Sequence, residues 1–183
     1  LGDESSCGVR EGGQVYCWGR AFAGPVPGVD TNTVWPLPVP GAPPMDSLAL
    51  TGWHQCGITP ANVTWCWGWN HNIGVDDPRD FIPDPIQLAA PPGFLSIHGL
   101  HTATFALGTD GHGYWWGPPP LSNGGPPETP ERFSDEIPLR AIGTNDSGAC
   151  GIEQTSGTVY CWSAFVWEGP TRVAAFPPPG EAQ

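Results

Sequence analysis

The sequence predicts an all-β fold built from a repeated blade of four short antiparallel strands, and three observations predict it. A Trp recurs at positions 18, 67, 116 and 162, spacings of 49, 49 and 46 residues. Each period holds short apolar runs separated by Gly, Pro and Asp, and no window of about eleven or more residues carries a helical period. Four short strands in roughly 40 to 50 residues make the blade of a β-propeller. Gly (26) and Pro (24) are abundant in the 183 residues, but ten Trp, seven Phe and three Tyr are more aromatic surface than a disordered chain keeps. The Gly and Pro are therefore punctuation between strands.

Taken in order, the periods run about 1–50, 51–97, 98–142 and 143–183, one propeller segment of nearly four repeats. In the first, Cys7-Gly8-Val9 precedes Tyr16-Cys17-Trp18-Gly19; in the second, Cys56-Gly57-Ile58 precedes Trp65-Cys66-Trp67-Gly68. In the third, Phe105-Ala106-Leu107 precedes Tyr114-Trp115-Trp116-Gly117; in the fourth, Cys150-Gly151-Ile152 precedes Tyr160-Cys161-Trp162-Ser163. These two runs read as a hairpin. A Pro-led stretch then leads to a short apolar run closing on Gly: Leu48 to Gly52, Leu95 to Gly99, Leu139 to Gly143. The column Trp and the aromatic two residues before it, at 16, 65, 114 and 160, are expected between blades.

The run from Gly52 to Gly68, opening Gly-x-His-x-Cys-Gly-Ile and closing aromatic-Cys-Trp-Gly, followed by Asn70 and Gly74, resembles the repeat of the regulator of chromosome condensation family. The resemblance covers essentially the whole chain and is weakest in the third repeat, where Phe105 and Trp115 replace the Cys pair. The Cys-bearing form is similar to that of extracellular members, namely secreted bacterial propellers, some of them β-lactamase inhibitors, and crinkly-type plant receptor ectodomains. The nuclear founder is an exchange factor for a small GTPase, and its Cys-poor repeats fit this acidic chain badly. The resemblance also implies a ring of about seven blades. Leu1-Gly2 aligns with the run ends Thr51-Gly52 and Ile142-Gly143, so the remainder of the same propeller is expected outside this segment.

A hairpin centred on Gly12 places Cys7 opposite Cys17, and cross-strand Cβ atoms lie about 4.5 to 5.5 Å apart, near disulfide range. The same register pairs Cys56 with Cys66 and Cys150 with Cys161, and its joint loss in the third repeat argues for paired rather than free thiols. An oxidising compartment follows, hence an extracellular or cell-surface location. Two sequons, at Asn62 and Asn145, are candidate glycosylation sites in that setting.

Six Arg and no Lys against 18 acidic residues give a net charge of −12, which argues against nucleic acid as partner. No apolar run is long enough to span a membrane. The acidic loops, with Asp76, Asp77, Asp80 and Asp84 and with Glu128, Glu131, Asp135 and Glu136, lack the alternating spacing of a calcium loop, and Pro78 interrupts the first. No HExxH or CxxC motif supports zinc, although His98 and His101 lie three apart. Asp146-Ser147-Gly148 looks like a serine-protease nucleophile segment, but no partner histidine motif accompanies it and it lies in register with the other repeats. No enzyme activity, metal or cofactor is expected. Phe22, Trp69, Phe165 and Trp167 all follow a column Trp by two to five residues, in the equivalent loop of their repeats, and are the candidate protein-binding residues. The expected function is a non-catalytic extracellular interaction or structural module of a cell surface, wall or appendage, binding a protein partner or neighbouring subunits. The alternative is a receptor ectodomain or secreted inhibitor with a defined protein ligand; a guanine nucleotide exchange factor is a weaker third.

Overall fold

The computed structural model describes residues 5–19, 33–70, 73–75, 77–89, 93–100, 102–117, 129–145, 148–163 and 170–173. Among them all regular structure is β apart from a helical-turn residue at Asn70. The first sheet holds β1 (Ser5–Val9), β2 (Val15–Gly19) and β3 (Thr33–Pro38). The second holds β4 (Ser47–Leu50), β5 (His54–Ile58), β6 (Thr64–Trp69) and β7 (Phe81–Gln87). The third holds β8 (Phe94–Leu100), β9 (Ala103–Gly108), β10 (Gly113–Trp116) and β11 (Glu131–Arg132). The fourth holds β12 (Leu139–Asn145), β13 (Gly148–Glu153), β14 (Val159–Ser163) and β15 (Thr171–Arg172). Every sheet is an antiparallel meander, strands hydrogen-bonded in chain order. The first strands of successive sheets pack on one another, β4 on β8 and β8 on β12, and so form the inner layer.

The apolar run that closes each sequence period opens the next sheet: Ser47–Leu50 pairs with β5, Phe94–Leu100 with β9 and Leu139–Asn145 with β13. The sequence period and the sheet are thus offset by one strand, which ties neighbouring blades together covalently. The outer strands carry Pro36, Pro38, Pro83 and Pro85. A strand with no further neighbour has no ladder bond to lose at such positions, and proline there blocks edge-to-edge pairing.

The cysteine hairpins sit in the expected register. Cys7 faces Cys17, Cys56 faces Cys66 and Cys150 faces Cys161, each pair joined by a disulfide, with Cα atoms 4.0 to 4.1 Å apart. Because side chains alternate across a strand, the Cys face of each sheet looks toward the next blade and the column Trp toward the preceding one. Trp67 packs with Val15, Cys17 and Met45, and Trp116 packs with Cys56, Cys66 and Ile58. Trp162 lies with Leu107, Leu139 and the edge of Phe133, whose ring centroid is 4.9 Å away. In the third sheet the missing disulfide is replaced by a cross-strand aromatic pair: Phe105 stacks on Trp115 at 6.5 Å and both are buried against Ala149 of the fourth. Volume replaces a covalent staple in that layer. Trp67, Trp116 and Trp162 are buried, but Trp18 is only half-buried, because no described sheet precedes the first.

Candidate protein-interaction face

Trp69 is the last residue of β6, at the end of the second sheet remote from the β5–β6 turn. The Trp-Gly step before it explains how it gets there. Gly68 has φ 121°, and a Cβ on it would lie 2.6 Å from both the Cα of His54 and the carbonyl oxygen of Trp53. Only glycine permits that approach, and the register against β7 shifts between Cys66 and Gly68 as a bulge. Beyond it the Trp69 N–H donates to the Trp53 carbonyl at 3.1 Å. The Trp69 ring lies edge-on to Trp53, centroids 6.1 Å apart at 74°, and to Phe81, 6.2 Å apart at 65°.

This trio is half in and half out. Trp53 is 37% exposed, Trp69 and Phe81 are half-buried, and the Trp69 indole N–H is buried without a hydrogen-bond partner. A buried unpaired donor costs about 1 to 3 kcal/mol, so the ring is held by packing, with one edge inward and the other on the surface. Trp53 and Phe81 were not singled out in the sequence, yet the signal was there. The register that pairs Cys56 with Cys66 and His54 with Gly68 sets Trp53 opposite Trp69 when continued by one residue.

Beneath the trio His54 is fully enclosed. Its Nδ1 lies 2.9 Å from Thr51 Oγ1, and its Nε2 lies 2.5 Å from Thr104 Oγ1 of the third sheet. Burial pushes the imidazole down to about 3, so the ring is neutral and pins two blades together under the face. Asn70 fixes the loop that follows. Its N–H donates to the Asp80 carbonyl at 2.9 Å, its side-chain amide donates to the Asp77 carbonyl, and its own carbonyl accepts from Ile73. Ile73 is buried in the core beside Trp116.

The acidic loop is less available than its composition implies. Arg79 grips Asp77 through Nε at 2.9 Å and Nη2 at 2.8 Å, and those bonds lower the Asp77 carboxyl to about 2. Asp80 and Asp84 are exposed, as are Glu131, Asp135 and Glu136; Asp76 and Glu128 lie outside the described residues. Among the described residues no three His, Cys, Asp or Glu gather as a metal site. His98 is half-buried and burial lowers its pKa; His101 lies outside the described residues.

Of the four candidate binding residues only Trp69 is described; Phe22, Phe165 and Trp167 lie outside the described residues, as do Asp146 and Ser147. Asn62 is exposed in the β5–β6 turn at φ 59°, a left-handed conformation that Asn tolerates. That turn is at the opposite end of the sheet from Trp69. Asn145 is exposed at the end of β12.

No protein-family model and no curated protein matches the chain. Solved structures do. Human WBSCR16 superposes with a TM-score of 0.77 at 17% identity, over 96% of this chain and 52% of that one. Yeast RCC1 (Prp20), solved bound to Kap60, gives 0.76 at 19% identity over 95% and 47%. The CRINKLY WD40 ectodomain of the Arabidopsis thaliana receptor kinase ACR4 gives 0.55 at 20% identity over 93% and 51%. The chain spans about half the length of these structures. Its fold is an arc of an RCC1-type β-propeller, with a disulfide across the hairpin of three of its four sheets.

Proposed function

We propose that the chain is part of a non-catalytic, extracellular protein-interaction propeller, of a cell surface, wall or appendage, that engages its partner through the face bearing Trp53, Trp69 and Phe81. The observation that carries this reading is the aromatic trio, mounted on a sheet whose staple is a disulfide buried in the interblade layer. Rigid aromatic anchors on a fixed scaffold give large contact area at small entropic cost. Three hairpin disulfides with no free cysteine support an oxidising compartment, and the exposed sequon at Asn62, facing away from the trio, is compatible with a glycan that leaves the face open.

The neighbouring structures support an interaction role, since RCC1 (Prp20) is solved bound to Kap60 and Prp20p is described by its binding to Gsp1p and histones. A receptor ectodomain with a defined protein ligand is the second reading, favoured by the likeness to the ACR4 ectodomain.

The test is binding of the secreted, labelled chain to intact cells of its source, with folding followed by near-ultraviolet circular dichroism. Trp53→Ala and Trp69→Ala are expected to keep the three disulfides and a cooperative melt while weakening binding about tenfold or more. Trp67→Ala, deep in the core, is expected to lose about 3 to 5 kcal/mol of stability. Unchanged binding in both face variants overturns the assignment of the face, and absence of surface binding overturns the extracellular reading.

A further inference from the structure

The end of the second sheet that carries Trp53, Trp69 and Phe81 is bordered by uncompensated negative charge. Asp80 directly precedes Phe81, and its carbonyl accepts the Asn70 N–H at 2.9 Å, so its side chain leaves the backbone one residue away from two of the three rings. Asp84 stands three residues farther along β7, about 10 Å on at the rise of a strand. Both carboxylates are exposed, and neither enters an ion pair or a side-chain hydrogen bond among the described residues. The positive charge at this end is engaged or absent. Arg79 is held by Asp77 through Nε at 2.9 Å and Nη2 at 2.8 Å, and the His54 ring beneath is neutral. The stretch Asp77–Asp84 thus sets three carboxylates against one guanidinium, in a chain with no Lys and a net charge of −12. Asn70, 8% exposed, adds a further acceptor: its two donors serve the Asp80 and Asp77 carbonyls, while its Oδ1 has no partner.

The rings suit the same sign of charge. Trp69 meets Trp53 at 74° and Phe81 at 65°, so neither contact stacks two rings face to face. The π face of an indole is negative and attracts a cation placed over it, more strongly than the ring of Tyr or Phe does. Carboxylates within a Debye length, about 8 Å at physiological salt, add to that potential. A guanidinium answers both features, because it stacks on aromatic rings, forks onto carboxylates and is more weakly hydrated than an ammonium. An acidic partner would be repelled here. A purely apolar one would cover Asp80 and Asp84 without pairing them, which costs more than the rings return.

Resting on the assignment of this face under the proposed function, we infer that its partner is a basic protein segment, an Arg of which seats against Trp53 and Trp69 with Asp80 and Asp84 as its counter-charges. The rings supply contact area and the carboxylates select the charge. Asp135 and Glu136 provide the comparison within the same chain. They are equally exposed acids, but they lie at the turn end of the third sheet, where the neighbouring Ser134 Oγ accepts the Gly113 N–H at 2.6 Å.

The experiment titrates the isotope-labelled, disulfide-intact 183-residue chain with the capped peptide Gly-Leu-Arg-Gly-Arg-Leu-Gly, and with the same peptide carrying Lys or uncharged citrulline in place of Arg. Nuclear magnetic resonance follows the indole signals of Trp53 and Trp69, assigned from their Ala variants. The Arg peptide is expected to shift both signals and to bind about fivefold or more weaker when salt is raised from about 20 to about 200 mM. The Lys peptide is expected to bind more weakly and the citrulline peptide to leave both signals in place. Asp80→Asn combined with Asp84→Asn is expected to weaken the Arg peptide about fivefold or more. Asp135→Asn combined with Glu136→Gln makes the same change in net charge and is expected to leave binding as in wild type. Unmoved indole signals, a citrulline peptide that binds like the Arg peptide, or equal losses in the two double variants overturn the inference. Binding to intact cells separates it from the reading on which it rests. Loss in Trp53→Ala with full retention in the Asp80, Asp84 double variant overturns the basic partner and leaves the face standing, whereas unchanged binding in Trp53→Ala and Trp69→Ala overturns the face itself.

Discussion

At the scale of single residues, His54 shows how burial converts a polar side chain into a junction. The enclosed ring binds Thr51 of its own sheet and Thr104 of the next, and it does so as the neutral imidazole, lowered to about 3 by burial alone. The folded-state pKa lies below the unfolded value of about 6.5, so the unfolded chain takes up a proton that the folded chain refuses. The stability this provides is complete above pH 6.5 and is lost as pH falls toward 3, at about 1.4 kcal/mol per pH unit once the unfolded form is protonated. The carboxylates of Asp77 and Glu153, held near 2, start to cost stability as pH falls into their ordinary range around 4, so the window from about pH 7 to 5.5 isolates the histidines. Chemical denaturation across that window is expected to show a falling midpoint for wild type. The decline is expected to be shallower for His54→Gln, the remainder coming from His98, whose pKa burial also lowers. Equal slopes in the two proteins would mean that the His54 ring is not held neutral by the fold.

At the scale of the element, the hairpin is a fixed frame into which different chemistries are placed. Cys56–Cys66 and Cys150–Cys161 close loops of nearly the same length, with separations of 10 and 11 residues. Loop closure alone gives each about 2.5 to 3 kcal/mol on the chain-entropy account. Their surroundings differ: the first pair is buried in an apolar layer under the third sheet, the second borders a groove of about 410 Å³. Changing both cysteines of a pair to Ser is therefore expected to cost more in the second sheet, because two hydroxyls enter that layer at about 1 to 3 kcal/mol each without partners. Urea midpoints of the two double variants check the difference; equal losses would show the layer to be hydrated. This element was the most legible part of the sequence. A turn at Gly12 and an apolar alternation fix the register of the two cysteines, and that information is local. What the sequence left unread was non-local: the pairing of Ser47–Leu50 with the following hairpin, and the arrival of Phe81 on β7 against the Trp69 ring. Periodicity marks where strands fall and says nothing of which sheet receives the strand at a period's end.

At the scale of the whole molecule, the main contacts between sheets among the described residues join sequence neighbours, so stability is distributed as a sum of blades and the layers between them. The second and third sheets are covered on both sides, with Trp67 set into the first junction and Trp116 into the second. Among the described residues the fourth is covered on one side, by Ala149 and Ile142 against Phe105 and Trp115, and Cys150, Ile152 and Val159 line the groove on the other. A sheet that loses one junction on opening exchanges its amides from a lower-energy opened state than a sheet that loses two. Hydrogen exchange is thus expected to release β1, β2, β13 and β14 before β5 and β6, with opening free energies differing by about 1 to 3 kcal/mol. Uniform protection would mean that the four sheets open as a single cooperative unit, which blades coupled only to their nearest neighbours do not do.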